Sequence, residues 1–465
     1  MYTRKDAHTT LPLRLVGDDI SVTCVDGEAR VAIGLDNAAS TSALPAVAAR
    51  VAEFLPRYSS VHRGAGAKSR ASTEAYEAAR VAALSFAGRV GPDDVAIVCR
   101  NTTEAINHLA YRLRLSRDEV VATTVVEHHS NLLPWGRVAQ RRYVECGQNG
   151  TFGLDDVAAA LEERPRPRLL AVTGASNVTG WLPPLEAIIG LAHHHGVPVF
   201  VDAAQLAPHR ALPPDADFVA WSGHKMYAPF GSGILIGPRD AFTEGDPFLA
   251  GGGAVDAVDL DEVAWTEPPE REEAGSPNVV GAVALHAALD EIEALGWPAI
   301  SAHEASLAER LRFGLTSIPG VHLLGPPLEQ PTLAVASFVV DGVHHALVAA
   351  RLSAEFGIAT RHGCFCAHPY LFRLLGLGHD DVLAHREAVR KGDRRNVPGA
   401  VRASASLATT ESDIDSLVEA VGVIASGQQP AVTYEQDART GDFEPVASAG
   451  WDAAVPGLEA ACSRG

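Results

Sequence analysis

The sequence predicts an α/β chain in which a large unit, a mainly parallel sheet wrapped by helices, is followed by a smaller C-terminal α/β unit. Three observations carry that expectation. From about Asp36 to Leu295, short β-branched runs alternate with helical patterns, the signature of a parallel sheet whose crossovers are helices. The alternation stops at Gly296-Trp297-Pro298 and then restarts. With 465 residues, 47% hydrophobic and 20% charged, the chain is long enough for one large core and a second, smaller one.

In chain order, Ser21 to Cys24 and Ala29 to Leu35 read as hairpin-like strands of an N-terminal segment, 1–35, that leans on the smaller unit. The large unit, 36–297, has expected strands at Val95 to Cys99, Glu119 to Thr123, Leu169 to Thr173, Pro198 to Val201, Phe218 to Trp221 and Gly233 to Ile236. Helical spacing falls at Thr103 to Leu113, Leu154 to Glu163 and Leu185 to His195. The third is introduced by Pro183-Pro184 and closed by Gly196. A long helix, Val283 to Leu295, completes the unit. The smaller one, 298–427, begins with a helix over Ala302 to Leu315 and a strand over Ala334 to Val340. From Gln428 onward no periodicity remains, and 428–465 reads as a loosely held tail.

Composition narrows the function. The 38 basic residues against 57 acidic ones argue against nucleic acid or an anionic membrane as partner, leaving small-molecule chemistry. Met1 to Thr10 is polar, and no segment reaches roughly 18 uninterrupted apolar residues, so a cytoplasmic location is expected. Six cysteines, at 24, 99, 146, 364, 366 and 462, are too scattered for a disulfide framework.

Trp221-Ser222-Gly223-His224-Lys225 places a lysine after an apolar strand and before a Gly-containing turn. Lysine is rarely buried unpaired, because desolvating an ammonium is costly; held as an imine it loses that cost, so Lys225 asks for an aldehyde cofactor. Val199-Phe200-Val201-Asp202 is a buried-strand pattern running into a carboxylate, which wants a cation such as a protonated pyridine nitrogen. Arg100-Asn101-Thr102-Thr103 follows a strand and opens a helix, a natural phosphate cradle. His128, in Glu127-His128-His129-Ser130-Asn131, offers an imidazole able to stack on a flat ring.

These pieces, in this order, resemble the fold type I enzymes that use pyridoxal phosphate, and within them the class V aminotransferase group of cysteine desulfurases and selenocysteine lyases. The likeness covers about Asp36 to Ala420. It implies that Lys225 is the Schiff-base lysine, Asp202 the partner of the pyridine nitrogen, Gln205 a contact of the ring hydroxyl and His128 the stacked ring. It further implies that Thr102, Thr103, Ser222 and His224 hold the phosphate and that Asn177 lies near the substrate. Asp36-Asn37-Ala38 and Val61-His62-Arg63-Gly64 match N-terminal active-site segments, so Ala38 and His62 are expected beside the substrate. Glu273-Ala274-Gly275-Ser276 matches a loop that reaches the phosphate of a neighbouring subunit, with Ser276 replacing the usual Thr, and implies a homodimer.

Thr360-Arg361-His362-Gly363-Cys364-Phe365-Cys366 resembles the short cysteine loop of the SufS-like desulfurases, and its Gly-Cys-Phe-Cys wording also looks like molybdenum cofactor sulfurases. By that resemblance Cys366 is catalytic, Arg361 lies beside the substrate, and Arg402 clamps its carboxylate, a task suited to a guanidinium. An attacking cysteine must be exposed and partly thiolate, and Arg361 supplies positive potential. The alternation His362, Cys364, Cys366, His368 spreads its side chains roughly 6–7 Å apart in an extended segment, too far to converge on one metal ion. Cys364 would accept or relay sulfur. The spacing between Cys366 and Arg402 exceeds the family's, so 375–398 reads as an insertion over the site mouth that bears on whether an acceptor protein can dock.

The expected reaction is a cysteine desulfurase's: L-cysteine to alanine, with the sulfur left on Cys366 as a persulfide and passed to a protein or small-molecule acceptor. Two other readings stay open. One keeps the cofactor but acts as a biosynthetic lyase, epimerase or cyclase on a specialised amino acid; the other is a pseudo-enzyme that only binds a partner.

Overall fold

The computed structural model describes residue 11 and residues 13–62 and 64–446; Arg63 and Cys462 lie outside them. Strands β1 (Asp94–Cys99), β2 (Val120–Thr124), β3 (Gln140–Val144), β4 (Leu169–Thr173), β5 (Val199–Asp202), β6 (Phe218–Ser222) and β7 (Gly233–Pro238) form a seven-stranded sheet in the order β1-β7-β6-β5-β4-β2-β3. Strands β2 to β6 run parallel to one another, whereas β7 is antiparallel to both β1 and β6. β2, β4, β5 and β6 are buried along their whole length, which is why they read as continuous apolar runs. β3 is an edge strand, half exposed; its Gln140-Arg141-Arg142-Tyr143-Val144 carries no apolar run, and the sequence pattern did not disclose it.

Helices α1 (Pro45–Phe54), α2 (Ala67–Phe86), α3 (Thr102–Arg112), α4 (Leu154–Glu162), α5 (Leu185–His194) and α6 (Val279–Leu295) clothe the sheet. Val199 and Val201 of β5 face a core that includes Val47, Phe86 and Leu285, while Phe200 between them faces Ile106 and Leu109 of α3, the alternation a strand imposes. α7 (Trp297–Thr316) starts directly after Gly296, whose φ of +78 turns the chain between two helices.

A second sheet, of β8 (Val321–Leu324), β9 (Val335–Val340), β10 (Arg361–Gly363) and β11 (Ala400–Ser404), is antiparallel in the order β8-β9-β11-β10. Its core joins Leu307 and Leu311 of α7, Phe338, Val401, Leu352 of α8 (His345–Phe356) and Leu417 of a C-terminal helix, Glu411–Ala425. Between β10 and β11 lie α9 (His368–Leu374) and α10 (His379–Arg390). α10 has no buried residue and meets α9 through His385 against Phe372. Near the N-terminus, Ser21–Thr23 pairs with Ala29–Val31, and Ile33–Gly34 runs parallel to Ile358–Ala359.

The segment expected as a loose tail differs over its first part. Tyr434–Gln436 and Phe443–Pro445 form a hairpin: Tyr434 donates to Glu355 of α8 at 3.1 Å, and the Phe443 ring lies 5.5 Å from that of His344. Strands of three residues are too short to show a period, so two aromatic anchors hold what the pattern left unassigned. Among the described residues, no helix is long and apolar enough to cross a membrane.

Candidate active site

The carboxyl ends of β1, β2, β4, β5 and β6 converge on a cavity of about 280 Å³, the place where parallel α/β sheets gather their ligands. β6 ends at Ser222, and the single turn Gly223–Lys225 delivers Lys225 into it. Lys225 keeps access to the cavity, yet enough protein surrounds its ammonium to pull it down to about 8. Burial is the main cause, opposed by Asp202 and reinforced by Arg402. Asp202, at the end of β5, is buried, and its Oδ1 accepts from the Ala204 amide at 3.0 Å. Burial pushes this carboxyl above the usual range, so it calls for a cation in the cavity.

The N-terminal turn of α3 forms one wall. Asn101 caps it by accepting from the Glu104 amide at 3.0 Å, and the Thr102 amide and hydroxyl meet Ser222 Oγ at 2.8 and 2.6 Å. β7 presses against this turn so closely that a Cβ on Gly233 would come 2.7 Å from Asn101 Cα. Thr103 Oγ1 lies 2.7 Å from Ser130 Oγ, which in turn lies 3.0 Å from His128 Nδ1. The Ser130 amide also donates to that nitrogen, at 3.1 Å, so the proton of the neutral ring sits on Nε2. Burial, then Lys225, lowers His128 to about 3. His224 is lowered to about 4 by burial, and its Nδ1 is 3.3 Å from Ser40 Oγ. Gln205 donates through Nε2 to the Ala38 carbonyl at 2.7 Å, leaving Oε1 for the cavity both residues line.

Opposite these groups stands Arg402 on β11. It is buried and donates to the Asn177 carbonyl at 2.9 Å and to Asp36 Oδ1 at 2.8 Å, with the Phe365 ring 5.1 Å from its guanidinium carbon. Its Nε, also buried, has no protein acceptor, an opening for a ligand carboxylate. Arg361 reaches the other oxygen of Asp36 at 3.3 Å. Asn177 donates through Nδ2 to the Phe365 carbonyl at 2.8 Å, so besides lining the cavity it holds the cysteine loop.

Cys366 is exposed and lines the same cavity. Phe365 and Cys366 both adopt left-handed backbone, φ +52 and +54, which costs a non-glycine residue roughly 1–2 kcal/mol. The His129 amide, donating to the Cys366 carbonyl at 2.7 Å, helps hold the turn. Cys364 differs from the expected relay. It is buried, it donates from Sγ to the Pro398 carbonyl at 3.0 Å, and burial pushes its thiol up to about 12, the reverse of a reactive cysteine.

The cavity therefore unites Ala38, Thr102, Thr103, His128, Asn177, Asp202, Gln205, Ser222, His224, Lys225, Arg361, Cys366 and Arg402. It does not include His62 or Ser276. These line a separate cleft, and Glu273, just before Ser276, is tied to Arg80 at 2.7 Å and to the Val98 amide at 2.6 Å. Sequence reasoning missed Asp36 as the carboxylate between two arginines and Ser130 as the support of His128; both lay inside quoted motifs but carried no signal of their partners.

Comparison with known proteins identifies the family and the fold. The model of the aminotransferase class V family matches residues 33–417. A probable cysteine desulfurase of Halobacterium salinarum is 35% identical over 400 residues, covering 83% of this chain and 90% of that protein. A cysteine desulfurase of Dickeya dadantii is 36% identical over 397 residues, with the same coverage. Among solved structures, the cysteine desulfurase of Thermococcus onnurineus superposes with a TM-score of 0.76 at 31% identity, over 85% of this chain and 95% of that one. That of Escherichia coli gives 0.70 at 32%, over 84% and 94%. The fold is that of the type I pyridoxal phosphate-dependent enzymes, and with a lysine, an acid and an imidazole meeting at the strand ends, the chain belongs to the class V aminotransferase family.

Proposed function

We propose that the protein is a cysteine desulfurase that binds pyridoxal phosphate at Lys225 and moves sulfur from L-cysteine to Cys366. The observation that carries this reading is that one cavity is lined by Lys225, Arg402 and an exposed cysteine. The donor set suits the cofactor: an amine of lowered basicity, a buried carboxyl in need of a cation, a neutral imidazole, and hydroxyls at a helix N-terminus. When bound there, pyridoxal phosphate supplies an aldehyde for the amine and a sink for charge developing at the substrate Cα.

The chain's own residues do the rest. Thr102, Thr103, Ser222 and His224 hold the phosphate, Asp202 keeps the pyridine nitrogen protonated, and Gln205 and His128 fix the ring. Arg402 takes the cysteine carboxylate on its free Nε, beside Asn177. Lys225 Nζ receives the Cα proton. The Cys366 thiolate then attacks the substrate sulfur: an S–S bond forms, the C–S bond breaks with its electron pair going to Cβ, and protonation of Cβ followed by return of the proton from Lys225 to Cα gives alanine, with a persulfide left on Cys366.

His62 and Ser276 fit a homodimer in which the cleft holding them completes the partner's site. The neighbouring hairpin, Val255–Val258 with Val263–Trp265, exposes Val258, Leu260 and Val263, an apolar edge suited to a second copy. The deciding experiment incubates the protein with L-cysteine, identifies alanine, and maps added sulfur by mass to Cys366. If Cys366→Ala releases alanine at the parent rate, the reading is lost. A lyase or epimerase for another amino acid would leave cysteine inert.

A further inference from the structure

Cys366 belongs to two cavities. Besides the one holding Lys225 there is a second, of about 260 Å³, that shares Arg361, Phe365 and Cys366 with it. The second cavity is also lined by four histidines, His344, His345, His362 and His368, the last engaged by His129, and by Arg394 of the long segment between α10 and β11. Thr440 and Gly441, from the turn of the C-terminal hairpin, line it too. That hairpin is fastened to the same segment, the Arg394 amide donating to the Ala438 carbonyl at 2.8 Å and Gln436 to the Arg395 carbonyl at 2.9 Å.

Three of the histidines, His344, His345 and His362, are set for a ligand. His345 Nε2 donates to the Val397 carbonyl at 2.9 Å, and His362 Nε2 to Asp442 Oδ1 at 3.2 Å, so each leaves Nδ1 as a bare acceptor. His344 accepts from the Ala346 amide at Nδ1, at 3.2 Å, so its Nε2 carries the proton. All three remaining nitrogens are buried and without a partner, an uncommon cost for a cavity with no purpose. Arg361 and Arg394 add positive charge; of the acids near them, Asp36 is shared between Arg361 and Arg402, and Asp442 is engaged by His362.

We propose that this second cavity is the sulfur-acceptor subsite, shaped for a low-molecular-weight thiol that carries both a carboxylate and an N–H group. The inference rests on the reading that Cys366 carries sulfur. The carboxylate pairs with the arginines, and the N–H donates to the free Nδ1 of His345 or His362. The acceptor thiolate attacks the outer sulfur of the persulfide; a new S–S bond forms on the acceptor, the bond to Cys366 breaks, and its electron pair returns to Sγ as thiolate. No outside oxidant or reductant is needed. A cavity of this size admits a small molecule, and part of its wall comes from the expected insertion, 375–398, and from the hairpin that the sequence pattern left unassigned.

The test uses the full-length enzyme loaded with pyridoxal phosphate. One equivalent of L-cysteine charges Cys366, and the charge is read by mass. The persulfide is then chased with N-acetyl-L-cysteine, which has the carboxylate, amide and thiol but no free amine, or with 2-mercaptoethanol. The chase should saturate with N-acetyl-L-cysteine and stay linear with 2-mercaptoethanol. Arg394→Gln should slow the first about tenfold, as expected for losing one charged contact, and leave the second within about twofold. Thr440→Trp, which fills the cavity from an exposed turn, should do the same. Normal charging with a linear chase by both thiols, or equal loss for both in Arg394→Gln, overturns the subsite alone. Failure of Cys366 to charge removes the sulfur reading and the subsite together.

Discussion

The imidazole of His129 lies flat against that of His368, with ring centroids 4.9 Å apart and 9° between the planes. The stack brackets Cys366: His129 donates its amide to the Cys366 carbonyl, and its Nε2 accepts from the His368 amide at 3.2 Å at the start of α9. His129 is thus a positioning residue for Cys366, the sulfur that attacks under the proposed function.

Replacing it tests that role. His129→Ala should slow persulfide formation on Cys366 by about ten- to a hundredfold, the scale for misplacing a reacting group by about an ångström. Exchange of the Cα proton of alanine in heavy water, which needs Lys225 and not Cys366, should stay within about twofold by NMR. A parallel fall in both would make the stack merely structural.

Asp36 holds Arg402 and Arg361 together. Asp36→Ala leaves a buried guanidinium short of its counter-charge, and the freed fork turns away from the substrate. KM for cysteine should rise about tenfold with a smaller change in kcat, while thermal unfolding should show a loss of about 1–3 kcal/mol.

The lowered basicity of Lys225 makes cofactor uptake depend on pH. Only the neutral amine reacts with an aldehyde, and burial brings its pKa to about 8. Uptake of pyridoxal phosphate by protein stripped of cofactor should therefore quicken about tenfold per pH unit up to about 8 and then level. The same shift has a sign for stability. Because the unfolded chain holds this proton up to about 10.5, the stripped protein should gain stability as pH rises from about 8 towards that value. A flat uptake profile from pH 6 to 9 would contradict the assignment.

Cys364 supplies a control for Cys366. Its thiol is buried, held by the Pro398 carbonyl and pushed up to about 12, so Cys364→Ala should transfer sulfur at close to the parent rate and cost about 1 kcal/mol of stability. A large loss of transfer with charging of Cys366 intact would restore a relay role.

The parallel strands were legible because burial on both faces leaves little choice but Val, Ile, Leu and Phe, as in β5. Lys225 and Asp202 were legible because a charge at the end of such a run needs a reason. β3 escaped because an edge strand tolerates Arg141 and Arg142. Asp36 and Ser130 could not be read from spacing, since their meaning lies in partners distant along the chain: Asp36 meets Arg402 across 366 residues, and Ser130 meets Thr103 across 27. The hairpin after Gln428 escaped for the opposite reason, being held by single side chains and not by a repeated pattern.

The site is fastened by segments far apart along the chain. Ala38 donates its amide to Ser404 Oγ, Asn37 reaches the Ser404 carbonyl, and Gln205 rests on the Ala38 carbonyl. A growing polypeptide that has already emerged with Lys225, Asp202 and His128 still lacks the strand that locks Ala38 in place. Under the proposed function, tight cofactor retention is expected only after synthesis has passed Ser404, so capture of the cofactor should be a late event in the life of each new chain, and chains truncated before Ser404 should hold it poorly.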